Sequence, residues 1–323
     1  MARIFLTRRL PEEGMKMLEG HKIEVYEGDA PPSKEEIIEG VRGKDVLICL
    51  LTDKIDAEVM DASPRLKIIA NYAVGVDNID IEEATKRSIF VTNTPGVLTE
   101  TVADLTWALI MAVARRIVEG DKFMRDGKFK GWAPLLMLGD DIYGKTLGIV
   151  GAGRIGQAVA KRGRGFNMRI LYYSRKRKEE MEKLGAEYVP LETLLREADF
   201  ISLHVPLTSK TYHMIGENEL RMMKKNSYLI NTARGKCIDE EALVKALKEG
   251  WIRGAALDVF ENEPEIHPGL ANLKNVVLTP HIGSASYETR SRMAVMVAEN
   301  VLAALKGKTP PNCLNPEALK IEG

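Results

Sequence analysis

Along most of its length the chain alternates short apolar runs, rich in β-branched residues, with amphipathic runs of helical period. "RIFLT" (3–7), "KIEVY" (22–26), "DVLICL" (45–50) and "LKIIA" (66–70) predict buried strands. Between them "PEEGMKMLEG", "SKEEIIEGV" and "DAEVMDA" predict helices started by Pro11, Ser33 and Asp56. Such alternation implies a parallel sheet, because parallel neighbours need crossover connections and the crossover helices cover both faces. The pattern then changes. "TETVADLTWALIMAVARRIVEGDKFM" (99–124) predicts one long unbroken helix, and 126–144 is an irregular segment with glycines and aromatics.

Beyond it the same alternation resumes in "TLGIV", "MRILYY", "DFISLHV", "SYLINTA", "IRGAALDV" and "NVVLTP". A last helix, 286–307, is placed to carry the chain back over the first domain. With 323 residues and 45% hydrophobic side chains, two cores can be filled. The expected fold is α/β, with two doubly wound parallel-sheet, Rossmann-like domains. The first, flavodoxin-like, takes 1–99 plus 287–323, and the second takes 100–286.

Charge excludes some functions. The 46 basic and 46 acidic side chains cancel, so nothing draws the whole chain to nucleic acid or an anionic membrane. Cys49, Cys237 and Cys313 are few, scattered and odd in number, which predicts neither disulfides nor a metal site and suits a reducing cytoplasm. "MARIFLTRRL" is too short an apolar run for a signal peptide, and no apolar stretch reaches the ~18 residues of a spanning helix.

"TLGIVGAGRIGQAVAKRGRGF" (146–166) sets Gly151, Gly153 and Gly156 in G-x-G-x-x-G spacing. The pattern is weak alone, but here it follows a strand and opens a helix. Gly151 permits the tight turn, Gly153 lets backbone approach a pyrophosphate, and Gly156 allows close helix–strand packing. Arg154 and Ile155 stand within the fingerprint and share that surface, where a helix N-terminus offers N–H groups to phosphate. The following strand should end at an acid that holds the ribose 2′-hydroxyl of NAD. It ends instead in Ser174, Arg175, Lys176, Arg177 and Lys178. A carboxylate there repels a 2′-phosphate, whereas a hydroxyl with cationic groups binds it, so NADPH is expected to be preferred, with NADH possible.

Three chemistry-bearing segments follow in order, each just past a strand: "INTARGKCIDEEAL" with Arg234, "LDVFENEPE" with Asp258 and Glu263, and "LTPHIGSAS" with His281. Ligands of doubly wound sheets bind outside the carboxyl ends of the strands. Arg, Glu and His therefore converge on the edge where the nicotinamide should lie. Arg234 supplies a planar fork and His281 a proton near neutrality. Glu263 is expected to fix the His281 ring and favour its protonated form. A nearer acid–histidine pair, Glu265 and His267, lies in "EIHPG", which reads as a turn without catalytic duty.

The glycine fingerprint with "NYAVGVDNID" (71–80), "NTARG", "LDVFENEP" and "TPHIG" resembles the D-isomer-specific 2-hydroxyacid dehydrogenase family over nearly the whole chain. It is most similar to the branch of archaeal glyoxylate/hydroxypyruvate reductases. The resemblance implies a cleft between the two domains and a homodimer formed through the nucleotide-binding domain. It also implies that Asp258 holds the nicotinamide carboxamide, and that Thr232, Ala233, Gly283, Thr106, Arg234 and His281 line the cofactor. Val74 and Gly75 would offer backbone N–H groups to a small 2-oxo or 2-hydroxy acid, although Ala73 stands where many members have glycine. Leu51 would line the pocket. His204 is placed near the adenine. The alternatives are 3-phosphoglycerate or another D-2-hydroxyacid dehydrogenase, and a dinucleotide-sensing corepressor-like binding protein. Neither nucleic acid nor membrane is an expected partner.

Overall fold

The first four apolar runs become β1 (Arg3–Leu6), β2 (Lys22–Val25), β3 (Val46–Cys49) and β4 (Ile68–Asn71), and a further short strand, β5 (Phe90–Thr92), joins them outside the predicted runs. All pair in parallel, in the order β2-β1-β3-β4-β5. Strands β3 and β4 are buried along their whole length, as continuous apolar runs covered on both faces should be. Helices α1 (Glu12–Met17), α2 (Lys34–Val41), α3 (Ala57–Asp61) and α4 (Ile81–Lys86) make the crossovers. Pro11, Ser33 and Asp56 occupy the N-cap positions. Ser33 forms a reciprocal capping box, accepting from the Glu36 N–H while Glu36 accepts from its own.

This computed structural model describes residues 1–320. The chain forms two units, Met1–Leu98 with the segment from Ser284, and Thr99–Gly283. The long C-terminal helix, Tyr287–Leu305, belongs to the first unit. Its Ala294, Val297, Ala298 and Val301 share a core with Ile4, Leu6, Ile48 and Ile68. Gly14 of α1 is required for this packing, since a Cβ there would collide with the Ala294 backbone.

In the second unit the predicted helix over 99–124 is not continuous. It splits into α5 (Thr99–Ala114) and α6 (Ile117–Arg125), with Arg116 left-handed at φ 54°. The cause is tertiary. The Ala114 carbonyl, which would accept from residue 118 in an unbroken helix, accepts instead from Asp140 N at 2.9 Å. Gly139 lies so close that a Cβ would overlap that same carbonyl. No glycine or proline marks the break, so a sequence pattern could not show it.

Seven strands follow: β6 (Thr146–Val150), β7 (Arg169–Tyr173), β8 (Glu187–Tyr188), β9 (Phe200–Leu203), β10 (Tyr228–Asn231), β11 (Gly254–Leu257) and β12 (Val276–Leu278). All are parallel, in the order β12-β11-β10-β9-β6-β7-β8. Every carboxyl end therefore lies on one edge, and the order reverses between β6 and β9, where such sheets open a crevice. No helix among the described residues is long and apolar enough to cross a membrane, and no group of three or more acids, histidines or cysteines among them is placed to hold a metal.

Candidate active site

At the carboxyl end of β6 the chain turns through Gly151 at φ 104°, where a Cβ would collide with the His204 carbonyl. A Cβ on Gly156 would overlap the Gly151 carbonyl, so this glycine sets how closely α7 (Arg154–Gly163) approaches the strand. Gly153, the N-cap of α7, is different: a Cβ there meets nothing. The N–H groups of Arg154, Ile155 and Gly156 have no partner among the described residues. Open space before three orphan donors at a helix N-terminus fits a pyrophosphate. Past β7, Ser174 bonds its own loop through Oγ to the Lys176 carbonyl, and Arg177 pairs with Glu182. Arg175 and Lys176 are exposed, with no ion pair among the described residues.

Strand β10 ends at Asn231, whose buried amide folds the next turn. Its Oδ1 accepts from Ala233 N at 3.0 Å and its Nδ2 donates to the Arg234 carbonyl at 2.9 Å. The sequence motifs do not single out this residue. A signal for it exists all the same: a lone asparagine closing an otherwise apolar run must bond its amide locally once buried. Gly235 follows, packed so tightly that a Cβ would overlap the Phe260 backbone, which joins the Arg234 turn to the segment bearing Glu263.

Glu263 Oε2 lies 2.8 Å from His281 Nδ1, and its other oxygen accepts from Phe260 N at 3.0 Å. Burial pushes the Glu263 carboxyl up, but the hydrogen bond and charge of His281, the Phe260 N–H and the Arg234 guanidinium hold it below the usual carboxylate range. An ionised carboxylate only accepts, so His281 Nδ1 carries a proton and Nε2 is the ring atom left for a ligand.

His281 itself is left-handed at φ 51°, a conformation that costs a non-glycine residue energy. Asp258 holds it there. The Asp258 carbonyl accepts from His281 N. Its side chain accepts from Thr279 Oγ1 at 2.6 Å, Ile282 N at 2.8 Å and Gly283 N at 2.8 Å. Burial raises the Asp258 pKa, with these bonds and His281 opposing. Thus Arg234, Glu263 and His281 are gathered at one sheet edge with the glycine turn.

Thr106 and Thr232 are paired at 2.9 Å, and Thr106 also donates to the Val102 carbonyl. One hydroxyl proton cannot serve both, so Thr232 donates to Thr106. His204 bonds Ser202 Oγ, and burial pushes its pKa down to about 3, leaving it neutral. His267 does not meet Glu265. Its ring caps a short helix through Gly269 N and reaches the exposed Glu241.

Residues 107–283 match the family model described as D-isomer specific 2-hydroxyacid dehydrogenase, NAD binding domain. The chain belongs to the D-isomer-specific 2-hydroxyacid dehydrogenase family. Within that family it is 61% identical to a glyoxylate reductase of Korarchaeum cryptofilum, over 99% of this chain and 97% of the relative. A crystal structure of a protein from Thermus thermophilus superposes with TM-score 0.92 at 50% identity, covering 97% of this chain and 99% of that one. Another is an NADPH-dependent glyoxylate/hydroxypyruvate reductase of Sinorhizobium meliloti in complex with NADP and malonate. It has TM-score 0.87 at 33% identity, with 98% of each chain covered. Those likenesses extend across both units of this dehydrogenase. In the first unit Leu51 follows β3 and the Val74–Gly75 loop follows β4, both at the carboxyl edge of that sheet.

Proposed function

We propose that this dehydrogenase reduces glyoxylate, hydroxypyruvate and similar small 2-oxo acids to the D-2-hydroxy acid, preferring NADPH to NADH. The observation that carries the reading is the His281–Glu263 couple at the sheet edge that also bears Arg234 and the glycine turn. When bound, the reduced nicotinamide supplies the hydride. Arg234 holds carboxylate and carbonyl oxygen in its planar fork. His281 gives its Nε2 proton to the carbonyl oxygen as negative charge develops, while Glu263 keeps the ring oriented and offsets its charge. Thr106, Thr232, Ala233, Asp258 and Gly283 border the nicotinamide end. Gly151, Gly153, Arg154, Ile155 and Gly156 take the pyrophosphate. Leu51 and the N–H groups of Val74 and Gly75 are substrate contacts on the resemblance.

The NADPH preference rests on Ser174, Arg175 and Lys176, where no carboxylate opposes a 2′-phosphate. A panel of 2-oxo acids, including phosphohydroxypyruvate, assayed with both cofactors tests the whole reading. Glyoxylate or hydroxypyruvate with NADPH should give the highest kcat/KM. Arg175→Asp should raise the KM for NADPH by about tenfold or more and that for NADH by less than about threefold. Equal effects would sink the preference. Dinucleotide binding with no turnover would favour a sensor, and a best rate with the phosphorylated acid would favour the phosphoglycerate branch.

The protein works as a homodimer through the Thr99–Gly283 unit. Supporting this, Ile117, Val118 and Met124 of α6 are exposed, as are Trp132, Leu135, Leu138 and Tyr143 after it, with Trp132 at 84%. So much apolar surface in one stretch marks an interface. Light scattering should give twice the 35.9 kDa chain mass, and a monomeric mass would refute the assignment. Three free thiols support a cytoplasmic setting.

A further inference from the structure

In the loop after β4 three successive carbonyls are each pulled back into the protein. The Ala73 carbonyl accepts from Thr94 N at 2.9 Å, the Val74 carbonyl from Asn93 Nδ2 at 2.8 Å, and the Gly75 carbonyl from Asn71 Nδ2 at 2.8 Å. A trans peptide is planar, with its N–H directed opposite to its C=O. Anchoring these carbonyls therefore turns the N–H groups of Val74, Gly75 and Val76 away from their anchors. None of the three N–H groups has a partner among the described residues, and all three residues are partly accessible. An ordinary turn would use its own N–H groups to satisfy these carbonyls.

We propose that Asn71 and Asn93 are positioning residues that hold this loop as a three-donor cradle for the substrate carboxylate, with Val76 N–H as its third donor. The inference rests on the reading that Val74 and Gly75 contact the substrate. Both amides are buried, and Asn93 acts here through its donor alone, since its Oδ1 has no partner among the described residues. Asn71 is braced in turn by Asn78, which also ties the Leu50 and Asp53 carbonyls of the turn containing Leu51. Successive backbone N–H groups directed together bind anions without placing a side-chain charge in the site.

Asn93→Asp and Asn71→Asp preserve shape but replace the donor by an acceptor. Each should raise the KM for glyoxylate and the inhibition constant of oxamate, an unreactive carboxylate mimic, by about tenfold. Changes in kcat and in the KM for NADPH should stay within about threefold. A merely structural role would instead lower stability and kcat together without this split. In wild-type holoenzyme, oxamate should shift the amide resonances of Val74, Gly75 and Val76, a measurement that stands even if a variant does not fold. A silent Val76 overturns the three-donor cradle, and KM values within about twofold of wild type overturn the role of the asparagines. Wild-type protein that neither reduces 2-oxo acids nor binds oxamate would defeat the underlying functional reading instead.

Discussion

His281→Ala should lower kcat for glyoxylate reduction by about 10²–10⁴-fold, the range expected for loss of a positioned proton donor. Cofactor affinity should change little, because the glycine turn and the Ser174–Lys176 segment lie on other loops. The expectation follows from the geometry of the ring. Glu263 occupies Nδ1, so only Nε2 is left to meet a substrate. Removal of the imidazole also leaves the Glu263 carboxylate half-buried without its main partner, which is the wrong charge to place beside a developing alkoxide. Stopped-flow measurement of NADPH oxidation, with fluorescence titration of cofactor binding, separates the two quantities. His267→Ala is the control. Its ring caps a short helix and meets an exposed glutamate, so kcat should remain within about twofold. Were His267→Ala the inactive variant, the assignment of the proton donor would be wrong.

Asp258→Ala should cost about 3–5 kcal/mol of stability. The side chain belongs to a residue only 1% exposed and accepts from Thr279 Oγ1, Ile282 N and Gly283 N. Alanine leaves two backbone N–H groups buried without acceptors, and each such orphan costs about 1–3 kcal/mol. It also releases the loop that keeps His281 at positive φ, so activity should fall with stability. The three tryptophans, Trp107, Trp132 and Trp251, all lie within Thr99–Gly283. Their fluorescence in a urea titration therefore follows this unit alone. Asp258→Asn retains one acceptor oxygen but turns an NH₂ toward a donor, and should lose roughly half as much. A loss below about 1 kcal/mol for the alanine variant would show that water or a shifted loop satisfies those groups.

Much of the site could be read in the sequence because its motifs stand at strand ends. Where an apolar run stops, a parallel sheet delivers the next residue to a known edge. That rule alone placed Gly151, Arg234, Asp258, Glu263 and His281 on one edge of one sheet. It also exposed Glu265 and His267 as a poor pair, since neighbours in a turn need not face each other. The asparagines were harder to see. Asn71 and Asn231 each close a buried strand, and Asn93 lies just past another, but a sequence does not say which carbonyl an amide will reach. Asp258 was legible as a strand-end acid. The three donors it accepts come from a loop more than twenty residues on, and only folding brings them together.

Periodicity of apolar residues depends on local geometry, so the sequence by itself determined most of the strands, the first three crossover helices and the parallel character of both sheets, but not the short strands β5 and β8. It determined the glycine turn as well, since only glycine tolerates the contacts at Gly151 and Gly156. Tertiary structure decided the break at Arg116, because the Ala114 carbonyl is captured by a residue that returns from position 140. It also decided which acid meets which histidine. The bond between Glu263 and His281 crosses eighteen positions, whereas His267, two residues from Glu265, bonds Glu241 instead. The physical reason is common to both. A hydrogen bond is satisfied by proximity in space, and beyond one helical turn proximity is set by packing, not by order along the chain.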